Sequence, residues 1–324
     1  MLKLHFLNVG DGDAALVEDL TGGERPYRML VDTGDACPAK GERSACQTTA
    51  ADYLRRNGVE RLDAVVVTHL HMDHFGGLRD VLDAAEVDRV YSGFFPQASA
   101  RSLEPAPDAA KTVQGLIRCL ELWRQDVEEL RRRGVRLCPV DGSTGELRLT
   151  PALQAELVCT APSSCAVQRR VWEALLAGEK APEGLVYWSS KFRNPGSLRV
   201  SLSYAGRRIE LAGDCPAGEW ESQAEPCDLL KVPHHGDGKS MTPLAADRLR
   251  PRWAVVSCGG EYIPRKDRPS ELALALLRSR GSRVWFTGPF SGPGEVGEDW
   301  ESVEFSILED GSVLTPDDRV SGGR

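Results

Sequence analysis

The chain has 324 residues, a formal net charge of −8 and 27% charged residues. That length suffices for a full core, and the acidic balance argues against a protein that coats nucleic acid, which needs clustered Lys and Arg against phosphate. No apolar run approaches the roughly 20 residues of a membrane helix, so no membrane partner is expected.

The opening residues Met1 to Gly10 alternate like a strand and lack the apolar stretch and cleavage site of an export signal. The nine cysteines are odd in number and scattered, with no Cys-x-x-Cys pair. Both features predict a cytoplasmic protein with free thiols; in an oxidising compartment Cys37 and Cys46 could bridge instead. Three arginine groups, Arg131 to Arg133, Arg207-Arg208 and Arg248/Arg250/Arg252, could build a local basic groove, although each reads first as a solvated helix face or strand end.

In chain order, strands are predicted over Lys3–Asn8, Ala14–Glu18 and Arg28–Asp32, the last ending in Asp32-Thr-Gly34. A helix over Thr48–Asn57 stops at Gly58. Leu62–Thr68 is a β-branched run suited to a strand buried on both faces, and it empties into His69-Leu-His-Met-Asp-His74. A helix over Gly76–Ala85 and a strand over Arg89–Ser92 follow. Residues 95–134 break the pattern with a Pro-containing loop and a long amphipathic helix, Asp108–Arg133. Strands follow at Arg136–Val140, Glu146–Leu149 and Leu153–Val158. Residues 162–196 form a second irregular stretch with a short helix over Val167–Leu176 and the aromatics Trp172, Tyr187, Trp188 and Phe192. Strands resume at Ser197–Tyr204, Arg208–Ala212, Cys227–Val232, Trp253–Ser257, Val284–Thr287 and Val303–Leu308, with a helix at Ser270–Ser279. Strands grouped at both ends of the chain predict an α/β fold of two facing sheets with helices outside. Residues 1–315 read as one domain with insertions at 95–134 and 162–196, and residues 316–324 as a polar tail.

The chemistry sits at strand ends. His69, His71, Asp73 and His74 offer imidazole nitrogen and carboxylate oxygen, the donors zinc prefers, from one tight loop. His69 and His71 can serve one ion while Asp73 and His74 reach a second. Asp214, after a strand and a glycine, is the candidate bridging carboxylate. Of the pair His234-His235, adjacent side chains diverge, so one is expected to ligate. His235 is preferred as a ligand of the second ion; His234 would then stand behind it or hold a substrate oxyanion, and the reverse assignment stays open. His5 lies inside a strand and reads as packing.

Six segments, Leu7-Asn-Val-Gly-Asp-Gly-Asp13, Val31-Asp-Thr-Gly34, Val67-Thr-His-Leu-His-Met-Asp-His-Phe-Gly-Gly77, Asn194-Pro-Gly-Ser197, Leu211-Ala-Gly-Asp214 and Leu230-Lys-Val-Pro-His-His-Gly236, carry a resemblance. The chain resembles the metallo-β-lactamase superfamily and, within it, soluble relatives of the hydrolase domain of the ComEC-type DNA-uptake channel. The resemblance covers about residues 1 to 290. It implies a four-layer αβ/βα sandwich with a dinuclear metal site at one edge. Many members have a further histidine between the first cluster and the bridging Asp. Here none lies between His74 and His234, and Asn194 and Ser197 occupy that region, as is common in the subfamily. The first ion is then left with His69, His71, Asp214 and water, which admits manganese beside zinc. A family Tyr-Gly-His-Pro segment is replaced by Glu261-Tyr-Ile-Pro-Arg-Lys-Asp-Arg-Pro269, where Arg265, Lys266 or Arg268 could bind an anion. Asp32 falls on a family motif and could orient a ligand imidazole; Asp13 reads at least as well as a turn residue.

The expected activity is hydrolysis by a metal-activated water oriented by Asp73 or Asp214, with His234 against the developing anion. A phosphodiester ranks first as substrate, in a nucleotide, a small phosphorylated metabolite or a nucleic acid. The acidic chain and the aromatics Trp172 to Phe192, read as a pocket wall, favour a compact substrate. Ester, thioester or lactone hydrolysis is the alternative chemistry, and a non-catalytic metal-binding interaction protein the alternative class. Leu70 and Met72 stand where iron-binding redox members usually carry acidic residues, which argues against iron.

Overall fold

The first strand pairs with one from the far end of the sequence: Leu2–Leu7 runs antiparallel to Ser302–Ile307. A computed structural model describes residues 1–21, 23–36, 44–259, 268–292, 295–296 and 298–320. Around that pair grows an eight-stranded sheet in the order Val313–Leu314, Ser302–Ile307, Leu2–Leu7, Ala15–Asp19, Tyr27–Val31, Ala64–Val67, Arg89–Ser92 and Arg136–Pro139. A seven-stranded sheet runs Arg283–Phe286, Trp253–Val256, Leu229–Lys231, Arg207–Leu211, Leu198–Tyr204, Leu153–Cys159 and Leu147–Arg148.

Three apolar layers hold these sheets. Between them lie Leu2, Leu4, Phe6, Val66, Val200, Leu202, Val255 and Phe305. On the outer face of the first sheet, Val65 and Val67 pack with Leu54, Leu78, Leu120 and Trp123 from helices. On the outer face of the second, Leu230, Ala254 and Val256 pack with Ala246, Leu249 and Leu277. Alternate residues of one strand thus feed different layers, as the two-residue period of a strand requires. The result is a four-layer αβ/βα sandwich, as the sequence predicts.

Most predicted elements fall within a few residues of their places. The long helix is Lys111–Arg132, with Leu116, Leu120, Trp123, Val127 and Leu130 buried along one stripe. Thr49 caps the helix Ala50–Arg56 by accepting from Asp52 N at 3.1 Å. Several readings need correction. The predicted strand Leu62–Thr68 is split at Asp63 into Arg61–Leu62 and Ala64–Val67. The region 162–196 is mostly helical, with Pro162–Ala177 and a second helix, Glu183–Lys191, that the sequence does not announce. The helix Pro243–Leu249 was likewise not predicted, and the polar tail begins with the helix Pro316–Val320.

The polar motifs gather at one rim because the strand ends are tied across it. Thr68 O accepts from Leu198 N at 2.9 Å, joining the two sheets, and Asp73 O accepts from Asp13 N at 3.0 Å. Gly213 O accepts from His234 N at 3.1 Å. Two glycines permit this crowding. A Cβ on Gly12 would meet Asp73 O at 2.6 Å, and one on Gly213, whose φ is +52°, would meet Thr68 Oγ1 at 2.8 Å.

Candidate metal centre

Strand Ala64–Val67 delivers Thr68 and His69 to the rim, and the turn Met72–Phe75 lifts Asp73 and His74 beside them. Asp214 follows strand Arg207–Leu211, and His235 follows strand Leu229–Lys231. His234 and His235 sit at positive φ, 48° and 54°, a conformation costly for residues other than glycine and recurrent at functional sites.

These residues form two groups of three. His69, His71 and Asp214 bring one ligand atom each within 4.8 Å of one another, and so do Asp73, His74 and His235. Asp214 stands between the groups: Oδ1 lies 3.2 Å from His74 Nε2 and 3.7 Å from His235 Nε2, and Oδ2 lies 3.8 Å from His69 Nε2. His235 Nε2 is 3.6 Å from Asp73 Oδ2. Two ligands of a tetrahedral zinc, each about 2.1 Å from the ion, lie about 3.4 Å apart, so the spacing fits. His74 Nε2, His235 Nε2 and Asp214 Oδ1 are buried with no hydrogen-bond partner. Buried polar atoms rarely stay unpaired; a shared cation is the partner this donor set suits.

A surrounding layer holds the imidazoles. His74 Nδ1 donates to Asp32 Oδ2 at 2.8 Å, and Asp32 also accepts from Thr68 N at 2.8 Å and Thr68 Oγ1 at 2.7 Å. Asp13 is buried, ion-paired with Lys231, and places Oδ1 3.5 Å from His235 Nδ1. Its role is therefore larger than the turn that the sequence suggests. Ser197 Oγ accepts from Asp214 N at 3.3 Å, and Asn194 Nδ2 lies 3.0 Å from His234 Nε2. Both brace the centre from behind. His234 is 26% exposed, with Nδ1 2.7 Å from Asp237 and Nε2 3.7 Å from Asp214 Oδ2.

The charge states suit cation binding. Burial, reinforced by the neighbouring imidazoles, holds His69 well below its ordinary pKa; burial and Arg193 hold His71 down at about 3. Both offer lone pairs at neutrality. Burial opposes ionisation of Asp73 and Asp214, yet the nearby imidazoles, His235 for Asp73 and His74 for Asp214, win and keep both below the usual carboxylate range. Burial also opposes a charged His74, but Asp214 and Asp32 outweigh it, so these carboxylates favour positive charge at this point, which a cation would supply in the proton's place.

Arg268 is buried, and its neighbour Ser270 donates from N to Gly236 O at 2.6 Å. No hydrogen bond or ion pair among the described residues joins its guanidinium to either group of three. Cys37, Arg265 and Lys266 lie outside the described residues. His5 is buried between Glu18 and Tyr53, as packing. Two of the arginine groups are tied to local carboxylates, Arg132 and Arg133 to Glu129, Arg207 to Asp228 and Arg208 to Glu225, whereas Arg248 and Arg250 donate to backbone carbonyls and Arg252 lies over Trp253. Asp237, Lys231 and Arg193 were missed. Asp237, three residues after His234, carried the one usable signal.

Residues 8–94, which include the first histidine cluster, match the model of the metallo-beta-lactamase superfamily. That match supports the resemblance to the superfamily seen in the sequence. It is 23% identical over 300 residues to ComE operon protein 3 of Bacillus subtilis (strain 168), covering 87% of this chain and 31% of that protein. The chain thus spans about a third of that relative's length. Among solved structures, a CmlA beta-hydroxylase variant overlays with a TM-score of 0.46 at 14% identity, over 88% of this chain and 52% of that one. Human tRNase Z, short form, overlays at 0.41 and 13% identity, over 97% and 99%. No helix among the described residues is long and apolar enough to cross a membrane.

Proposed function

We propose that this chain is a dinuclear metal-dependent hydrolase of the metallo-beta-lactamase superfamily, acting on a phosphodiester in a compact substrate, a nucleotide or small phosphorylated metabolite. The observation that carries the reading is the convergence of His74 Nε2, His235 Nε2 and Asp214 Oδ1, buried and otherwise unpartnered. His69, His71 and Asp214 would hold one ion, and Asp73, His74, His235 and the shared Asp214 the other. Nitrogen and carboxylate donors favour zinc, and the sparse first group admits manganese. When bound, the ions supply an acidified water and positive charge against the oxyanion at phosphorus.

The protein's own groups do the rest. Asp73, 38% exposed on its side chain, can orient the attacking water from the open side. Asp237, 2.7 Å from His234 Nδ1, fixes the ring so that Nε2 faces the rim, where it can meet a substrate oxygen. A compact substrate is favoured because Arg132, Arg133, Arg207 and Arg208 are spent on local carboxylates. The eight described cysteines are free thiols, which supports a cytoplasmic setting.

The test is metal analysis of the purified protein with assays on bis-p-nitrophenyl phosphate, a thioester and a lactone. Two transition-metal ions and phosphodiester turnover, abolished in Asp73→Ala and His74→Ala, are expected. A metal-free protein, or turnover of the thioester or lactone alone, would overturn the proposal.

A further inference from the structure

Lys231 ends the strand Leu229–Lys231, which is buried throughout. Its side chain is 4% exposed and lies between the sheets with Phe6, Val31 and Leu211. An ammonium there costs free energy that an apolar side chain would not. Its charge is spent on one carboxylate: Nζ donates to Asp13 Oδ2. Among the described residues, no other lysine or arginine is ion-paired with Asp13, Asp32, Asp73 or Asp214.

Asp13 has little freedom of its own. Its N donates to Asp73 O at 3.0 Å and its O accepts from Gly34 N at 2.8 Å, so only its side chain can turn. Two imidazoles lie near it, His74 Nδ1 at 3.8 Å from Oδ2 and His235 Nδ1 at 3.5 Å from Oδ1. His74 Nδ1 already has Asp32. His235 Nδ1 and Asp13 Oδ1 are both buried without a hydrogen-bond partner, and they face each other. An ammonium has three donors and no acceptor, so it dictates which atom of residue 13 turns towards it, as a water or a hydroxyl would not. By holding Oδ2, Lys231 turns Oδ1 to His235 and leaves His74 to Asp32. We propose that Lys231 is a positioning residue, acting through Asp13 to keep the proton of His235 on Nδ1 and so present a bare Nε2 to the second ion. The inference rests on the metal-centre reading, and one arm of its test needs no metal.

Lys231→Met alone leaves the Asp13 carboxylate buried without its ion pair and destabilises the chain. The informative variants are therefore Asp13→Asn and the double variant Asp13→Asn/Lys231→Met. With Lys231 present, the new amide must turn its oxygen to the ammonium and its NH2 to His235 Nδ1, which drives the ring proton to Nε2. With Lys231→Met added, the amide can turn back, its NH2 towards Asp32, whose carboxylate belongs to the same cluster as Asp13 and His74. Zinc is titrated by calorimetry into the chelator-treated full chain. Asp13→Asn should weaken the step that depends on His235 at least about tenfold and spare the other. The double variant should regain at least about threefold. Ring-nitrogen NMR of labelled histidine, with His235 assigned through His235→Gln, is read on the same chain before zinc is added. Nδ1 should be protonated in the native protein, bare in Asp13→Asn and protonated again in the double variant. An ion pair that only tied the two sheets would give a second loss instead of a recovery, and no change at Nδ1. Native affinity in Asp13→Asn, or a double variant no better than the single one, overturns the proposal. If the native chain binds no zinc, the metal reading has failed and the ring decides alone. Alternation at Nδ1 then upholds the role of Lys231, and one protonation state in all three proteins rejects it.

Discussion

Asp32→Asn isolates the contribution of the layer behind the proposed metal ligands. Asp32 Oδ2 accepts from both His74 Nδ1 and Thr68 Oγ1, while Oδ1 accepts from Thr68 N. In one amide orientation Asn presents an NH2 group to two groups that were donating; in the other it presents NH2 to a backbone N–H. The first forces His74 into the tautomer protonated at Nε2, the atom aimed at Asp214, and removes the lone pair an ion needs. The second keeps the tautomer but weakens its anchor. Removal of such partners typically costs about 10–100-fold in metal affinity, or about 1.4–2.7 kcal/mol. Asn is the right probe because Asp32 sits at φ 58°, a region Asn tolerates and Ala does not. Zinc affinity is measured by competition with a chromophoric chelator, and the fold is checked by circular dichroism. The expected result is a native spectrum with the tighter site weakened at least about tenfold. Native affinity in a folded Asp32→Asn protein would refute the argument.

Asp214→Ala removes the one side chain that reaches both groups, and should leave less than one ion per chain by elemental analysis while the apo fold persists. Trp123 is fully buried, meets Phe75 edge-on and donates to Phe94 O at 2.8 Å; Trp123→Ala should cost about 3–5 kcal/mol in urea unfolding. Asp126 is pushed up to about 6 by burial, against the pull of Arg79. The folded chain therefore holds a proton that the unfolded one has lost between pH 3.8 and about 6, and stability falls as pH rises through that window. Asp126→Asn abolishes this dependence, so its stability relative to native should improve from pH 4 to pH 7, by at most about 3 kcal/mol; a constant difference would show that Asp126 does not titrate there.

What the sequence discloses and what it hides divide along contact distance. His69, His71, Asp73 and His74 are legible because one loop carries them all, and Asp214 and His235 because each follows a β-branched or leucine-rich strand. Asp32 is legible only through its family motif. Asp13 hides inside Gly10-Asp-Gly-Asp13, which spells a turn; its buried partner Lys231 is 218 residues away, and nothing local links them. The helix Glu183–Lys191 hides for another reason. Gly184, Ser189 and Ser190 are weak helix formers, so its helicity comes from packing against Lys111–Arg132 and Pro162–Ala177, which no local window contains. Arg193 is hidden the same way, since its carbonyl partner Leu70 belongs to the histidine loop.

Asp214 reaches from the first group of three to the second, but the two groups differ in their surroundings, and that asymmetry should order their filling. Asp73, His74 and His235 bring an additional carboxylate, and His74 is anchored by Asp32. His69 and His71 bring none; His69 Nδ1 has only Thr68 Oγ1 at 3.2 Å, and the buried cation Arg193 lies close enough to bear on His71. Each difference disfavours a second positive charge on that side. Zinc should therefore bind in two steps, the tighter at Asp73, His74 and His235, by at least about tenfold. In a calorimetric titration, His71→Ala should erase the weak step and spare the tight one, and His235→Ala should do the reverse. If His71→Ala instead removed the tight step, the extra carboxylate and the Asp32 anchor would not be what sets the order, and Arg193 would have to be screened from His71 by the ion itself.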